Sequence, residues 1–457
     1  MLYQHGPMNG LDAREAWGMR RTILVLTALA VCGMMVAPMG MAGKPQPPSP
    51  PAEKWGNIIL DQNHKQMATT YNGGDASNPD RYVRLYDWDD SAGQFKHQWS
   101  AIGYDGCVLG DVDNDGSKEL ACSSMTVTTE GKGNNQIMTK KVFLHIWENG
   151  DHSNSSKLKI LLPSTTSPPD KMAIGDVDGD GLKELVILKG WVEVWDFTNT
   201  NGKVDSTTTG PTNVIYDQSS FNQKDVGVYA LDVADSDNDG VAEILVGMAS
   251  GGNPTRRAAV IDYVGRYPNG EFRIVAYIGS AVVDDFTVAN LDGDANNINE
   301  IFMSGPSGKV FIWRYENGQY AQKWIADINM NGYNSPVFYL QANDAADIDK
   351  DGSLEIISGA SLGYKGQFRD NDWYWRMYLW EYSGNDKWTE YDIELAGRHG
   401  GAIDTMAHAD FNGDGFQDVV YDGHLFKFGG KDQSGNPIMS CVQELPFAGA
   451  NPALEVG

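Results

Sequence analysis

A nine-residue segment recurs along this chain with fixed internal spacing. In Asp176-Val177-Asp178-Gly179-Asp180-Gly181-Leu182-Lys183-Glu184, three carboxylates stand at alternate positions, a glycine follows, and a fourth carboxylate comes three residues later. The same spacing returns at Asp111, Asp113, Asp115 and Glu119, at Asp235, Asp237, Asp239 and Glu243, and at Asp347, Asp349, Asp351 and Glu355. It returns once more, with one amide and an aspartate at the end, as Asp410, Asn412, Asp414 and Asp418. A sixth copy, Asn290, Asp292, Asp294 and Glu300, lacks the glycine and carries two extra residues before its glutamate. A single acidic turn constrains little. Five intact copies demand a fold that makes the same tight turn again and again, with some means of neutralising each cluster.

A cation answers the second demand. Calcium accepts six to eight oxygen ligands in flexible geometry. Alternate aspartates point to one side of a coiled loop, and the glycine supplies the sharp turn. In the first-quoted copy the Leu182 carbonyl and the final carboxylate, Glu184, would close the cage. About five calcium sites are therefore expected, with the 290–300 copy doubtful. The pattern is no EF-hand, whose last ligand falls at position 12 between two helices. Here it falls at position 9, and the flanks are apolar and β-prone, as in Leu185-Val186-Ile187-Leu188 and Ile244-Leu245-Val246. The loop joins strands.

The copies begin at residues 111, 176, 235, 290, 347 and 410, a period typical of one supersecondary unit repeated in a ring or stack. After each loop comes an apolar strand and then an aromatic one: Val142 to Trp147, Val192 to Trp195, Val310 to Trp313, Arg376 to Trp380. Asn-Gly turns at Asn149-Gly150 and Asn317-Gly318 lead to a further strand. Three or four strands per unit describe a propeller blade. A seventh unit precedes the first loop, with Ile58 to Asn63 as a decayed motif and Tyr82 to Trp88 as its aromatic strand. The polar stretch from Thr128 to Lys140 reads as a loop, and no helix is expected after the N-terminal segment.

These loops, with triplets such as Gly305-Pro306, resemble the FG-GAP or VCBS repeats that build the integrin α-subunit head. The resemblance covers about residues 55–445. It implies an all-β, seven-bladed β-propeller with calcium in hairpin loops on one face, held by the residues already named and by the carbonyls of Ser117, Leu182, Val241, Ser353 and Phe416.

The formal net charge of -26 argues against nucleic acid and anionic membranes as partners. Residues 1–18 look unlike a native start. Residues 19–42 have the positive start, apolar run and small residues of a secretory signal cleaved near Ala42, leaving no membrane span in the mature chain. Residues 43–54 form a proline-rich linker and 446–457 a tail. The expected location is the periplasm, the cell surface or the medium, where disulfides form. Cys107 and Cys122 stand equidistant from the first loop, so a hairpin would set them face to face, as a disulfide or as two buried thiols. Cys441 is left as a buried free thiol. Cys32 sits in a poor lipidation context.

No His-x-x-x-His pair, Gly-x-Ser-x-Gly elbow or phosphate loop is present. His408, with Arg398 as partner, is the best candidate base, set against its reading as a strand residue alternating with alanines. The insertion from Tyr364 to Trp375, with Phe368 and Trp373, carries aromatics suited to stacking on sugars. The function expected from the sequence is a non-enzymatic adhesion or binding module for a glycan or an extracellular protein. The alternatives are a polysaccharide-degrading, lyase-like propeller and a structural part of a surface assembly.

Overall fold

The computed structural model describes residues 56 to 456 apart from 61–64, 73–80, 131–136, 163–168, 170, 189–190, 200–202, 206, 209, 216–227, 249–256, 306–307, 329–335, 365–373, 399–405, 422 and 446–453. The expected leader and linker segments therefore lie outside the described residues, as do Asp61 to Asn63 of the decayed motif.

Twenty-eight strands make seven four-stranded antiparallel sheets, with no helix among the described residues. Blade 1 holds β1 (Gln66–Asn72), β2 (Arg81–Asp89) and β3 (Gln94–Ile102), and blade 2 holds β4 (Tyr104–Gly110), β5 (Glu119–Glu130), β6 (Ile137–Trp147) and β7 (Leu158–Leu162). Blade 3 follows with β8 (Lys171–Gly175), β9 (Glu184–Leu188), β10 (Val192–Trp195) and β11 (Asn213–Ile215). Blade 4 has β12 (Val228–Ala234), β13 (Glu243–Met248), β14 (Ala258–Val264) and β15 (Glu271–Ile278). Blade 5 has β16 (Asp285–Ala289), β17 (Glu300–Ser304), β18 (Lys309–Glu316) and β19 (Gln319–Asp327). Blade 6 has β20 (Pro336–Ala346), β21 (Glu355–Tyr364), β22 (Tyr374–Tyr382) and β23 (Trp388–Arg398). Blade 7 has β24 (Met406–Ala409), β25 (Asp418–Tyr421), β26 (His424–Lys431) and β27 (Pro437–Glu444).

The chain's last strand, β28 (Leu454–Val456), completes blade 1 by pairing with β1, Met67 opposite Val456 and Thr69 opposite Leu454. The segment expected as a tail thus supplies the innermost strand of the first blade. Ile58 to Leu60 instead lean on blade 2. The Ile58 N–H donates to the Asp151 carbonyl, and the Gly150 N–H donates to the Ile58 carbonyl, each at 2.8 Å.

The strands β4, β8, β12, β16, β20, β24 and β28 each pack against the next, and β28 packs against β4. They form a closed inner ring, which leaves no sheet edge at the axis. The molecule is a seven-bladed β-propeller. Its core is divided. Seven separate apolar clusters fill the seven junctions between blades, such as Val177, Val186, Val194, Ile244 and Ile261 between blades 3 and 4. The aromatic strands feed them: Trp147, Trp195 and Trp380 are fully buried. Each follows from one register rule, facing the residue just after a loop's final carboxylate (Leu120, Leu185 and Ile356).

Two further readings need correction. Thr128 to Glu130 and Ile137 to Lys140 continue the β5–β6 ladder, with Thr128 opposite Thr139 and Glu130 opposite Ile137, threonine being suited to extended backbone. Cys441 is exposed, since it lies on the outermost strand of blade 7. Cys107 and Cys122 do face each other across β4 and β5, and both thiols are buried and free.

Candidate functional site

Every repeated loop joins the first strand of a blade to the second. All six therefore lie at one end of the ring, and neighbouring loops touch. Asn114 exchanges two hydrogen bonds with the Lys183 backbone, and the Asn299 side chain donates to the Asp235 carbonyl at 2.7 Å.

Within a loop the backbone winds around the first aspartate. Asp111 accepts the amides of Asp115 and Gly116 at 3.1 Å each, and Asp347 accepts those of Asp351 and Gly352 at 3.0 Å. Gly116, Gly181, Gly240, Gly352 and Gly415 all take positive φ, which is why a glycine recurs there. The final glutamate accepts the amide of the loop's second residue through Oε2, at 2.8 Å for Glu119 and Glu184 and 2.9 Å for Glu355.

The other oxygens turn inward. Oε1 of Glu243, Oε1 of Glu355 and Oδ2 of Asp113 are buried with no hydrogen-bond partner. Ligand atoms of Asp111, Asp113 and Asp115 lie within 4.8 Å of one another, as do those of Asp176, Asp178 and Glu184, of Asp235, Asp237, Asp239 and Glu243, and of Asp347, Asp349 and Asp351. Burial first, and then the neighbouring carboxylates, push Glu119 and Glu184 up to about 9 and Glu243 and Glu355 up to about 8. An all-oxygen, acid-rich cluster with unsatisfied inward oxygens fits a hard divalent cation.

The 410–418 loop has the same winding. Asp410 accepts the amides of Asp414 and Gly415, but Lys427 approaches Asp418 Oδ2 at 3.7 Å. The 290–300 loop keeps the contact of Leu291 N–H with Glu300 Oε2 at 2.8 Å, and Arg314 enters it.

A second group of ionisable residues lies on the inner ring. Lys171 opens β8, Asp232 lies on β12, Asp285 opens β16, Asp344 lies on β20 and His408 on β24, so five consecutive blades each contribute one. All five keep partial contact with solvent. His408 Nδ1 is 2.7 Å from Asp344 Oδ2, and Asp344 Oδ1 accepts the Ala345 amide at 2.8 Å. Asp285 Oδ2 accepts the Asn343 amide at 2.6 Å. Asn343 Oδ1 is held in turn by the hydroxyls of Ser304 and Ser358 at 2.8 and 2.7 Å.

Burial pushes the Asp285 carboxyl up to about 7, against the pull of Lys171 and the Asn343 amide. It pushes Asp232 up to about 6, and the charge of Asp344 adds to the effect. Lys171 and Asp285 are two blades apart, and so are Asp232 and Asp344. Each pair is coupled by charge across the inner ring. For His408, burial lowers the imidazole pKa, but the hydrogen bond and charge of Asp344 outweigh it and the net shift is upward.

The sequence singled out His408 alone from this group. Of its four companions, Asp232 stands as one polar residue in an apolar stretch ahead of a loop, Leu231-Asp232-Val233-Ala234, whereas Lys171, Asp285 and Asp344 each follow another polar residue, Asp170, Asp284 and Asn343. The Asp232 pattern was the available signal. The side chains of Arg398, Tyr364 and Trp375, and residues His399, Phe368 and Trp373 entire, lie outside the described residues.

No family model matches the chain. No curated protein matches it either. Solved structures do. A Lactobacillus plantarum protein aligns over 86% of this chain and 99% of its own, at 11% identity and a TM-score of 0.54. The periplasmic gluconolactonase of Pseudomonas aeruginosa aligns over 86% and 98%, at 14% identity and a TM-score of 0.53. At such identities the likeness shows the propeller fold. The FG-GAP and integrin resemblance therefore holds for the seven-bladed ring and no further.

The expectation of a non-enzymatic adhesion module is corrected. The solved structures this chain resembles include a periplasmic gluconolactonase. The inner ring gathers ionisable residues from five consecutive blades, a set invisible in the sequence.

Proposed function

We propose that this chain is an exported β-propeller enzyme that performs general acid–base chemistry on a sugar or sugar-derived substrate at its axis. The observation that carries the reading is the placement of Lys171, Asp232, Asp285, Asp344 and His408 on the inner-ring strands of five consecutive blades, with His408 Nδ1 2.7 Å from Asp344 Oδ2. Carboxyls poised near neutrality exchange protons efficiently at neutral pH. The Asp344–His408 contact orients the imidazole, and Lys171 supplies a positive charge for an anionic group of substrate or transition state. Strands of a closed ring are rigid supports for such a set.

The gluconolactonase named above supports a sugar-derived substrate, by analogy of fold alone. In this reading calcium, held by the loops at 111–119, 176–184, 235–243 and 347–355, is structural. It cross-braces one end of the ring and takes no part in the reaction.

The test is turnover by the full chain in millimolar calcium. Aldonolactones are followed by acid release, and neutral and acidic polysaccharides by new chain ends. Activity on either class, lowered about 10²- to 10⁴-fold in Asp285→Asn and Asp344→Asn variants that melt normally, is the expected result. Activity that survives both substitutions would sink the axial site. Absence of turnover on every class would sink the enzyme reading.

A further inference from the structure

The 290–300 loop differs from its siblings in what fills its centre. Arg314, on β18, binds Asp292 Oδ2 through Nη2 and Glu300 Oε1 through Nε and Nη2. Its Nη1 lies 3.9 Å from Asp294 Oδ2. The oxygens it takes are telling. Asp292 corresponds to Asp113, and Glu300 to Glu243 and Glu355. In those siblings the same atoms, Oδ2 of Asp113 and Oε1 of Glu243 and Glu355, are buried without a partner. All three residues are at least nine-tenths buried.

Strand register explains the difference. Glu300 faces Arg314 across the β17–β18 ladder. Extending the register of the other blades by one residue sets Glu119 against Glu148, Glu184 against Asp196, Glu243 against Asp262 and Glu355 against Glu381. In blade 7 the same extension sets Asp418 against Lys427, so this position on the third strand is acidic in four blades, a lysine in blade 7 and an arginine in blade 5. An added acid deepens the need for a cation, whereas a guanidinium meets it with paired, charge-assisted hydrogen bonds.

We infer that Arg314 is a built-in replacement for the metal ion in blade 5, so that this loop is neutralised by the chain itself and takes no divalent cation. The inference rests on reading the sibling loops as cation sites. It is independent of catalysis at the axis.

The test counts bound calcium on the full chain after equilibrium dialysis, with elemental analysis as readout. The double variant Asp292→Asn/Asp294→Asn should bind as many equivalents as the parent; loss of one would overturn the inference. The matched Asp237→Asn/Asp239→Asn variant in blade 4 should lose one equivalent. If it loses none, the sibling loops are not cation sites and the inference falls with them, whatever the activity assays show. Arg314→Met should melt several degrees below the parent in EDTA, and millimolar calcium should close most of that gap, while Arg314→Lys, which keeps the charge but not the paired hydrogen bonds, should melt between the two. A gap that calcium leaves open would make Arg314 a merely structural contact and overturn the inference.

Discussion

Asp285 is the residue on which the axial site is most sharply testable. Its carboxyl is pushed up to about 7 by burial, so it titrates where enzymes commonly work. If it donates a proton, activity falls as pH rises through about 7; if it accepts one, activity falls below that value. Asp285→Asn should remove this limb of the pH–rate profile, whichever sign it has. The same shift has a stability consequence. A carboxyl whose folded pKa exceeds its unfolded value of 3.8 favours the folded state at low pH, and that contribution is lost as pH rises through about 7. The uncharged asparagine variant should therefore gain steadily on the parent in melting temperature as pH rises from about 4 to about 8, read by calorimetry. Asp285 was illegible as a site in the sequence because an aspartate before a strand is commonplace. What marks it is the company of Lys171, Asp232 and Asp344, tens of residues away in the chain, which only ring closure supplies.

The loops show the reverse. Their spacing was legible because a single local segment must make the turn and present its own oxygens, and the glycines with positive φ fall where the pattern put them. Arg314 was not legible, because its place depends on the register of a neighbouring strand. Without metal, burial and mutual repulsion raise Glu119 and Glu184 to about 9 and Glu243 and Glu355 to about 8, from an unfolded value of 4.5. The stability these groups lend the metal-free chain is present at low pH and lost as pH rises toward 9. Chelation should then lower the melting temperature much more at pH 9 than at pH 6, and saturating calcium should flatten the difference. Equal losses at both pH values would mean that the loops do not bind a cation in this way. Glu243→Gln should blunt the calcium response of the melt, as it keeps the shape and removes the charge.

Seven small cores, one per blade junction, hold the molecule together in place of one large one. Trp147 fills the first of these junctions, and Trp147→Ala should cost about 3–5 kcal/mol, measured by denaturant unfolding. Deleting Leu454 to Val456 should lower the melt more than any single surface change, since it exposes β1 and leaves the inner ring open. The number of blades followed from the period of the loops, but the partner of β1 did not, since a strand of three residues carries no periodic signal.

That clasp also sets how the ring answers to force. Met67 lies opposite Val456, so the chain comes into β1 and goes out of β28 at the same end of a three-rung ladder. Tension between the two ends peels the rungs one after another instead of shearing all of them together. On the N-terminal side the pull first meets the grip of Ile58 on the Gly150–Asp151 turn. A tether on one end alone leaves the clasp unloaded. Anchored by both ends, this ring would come apart at its seam, with its six other blades still folded.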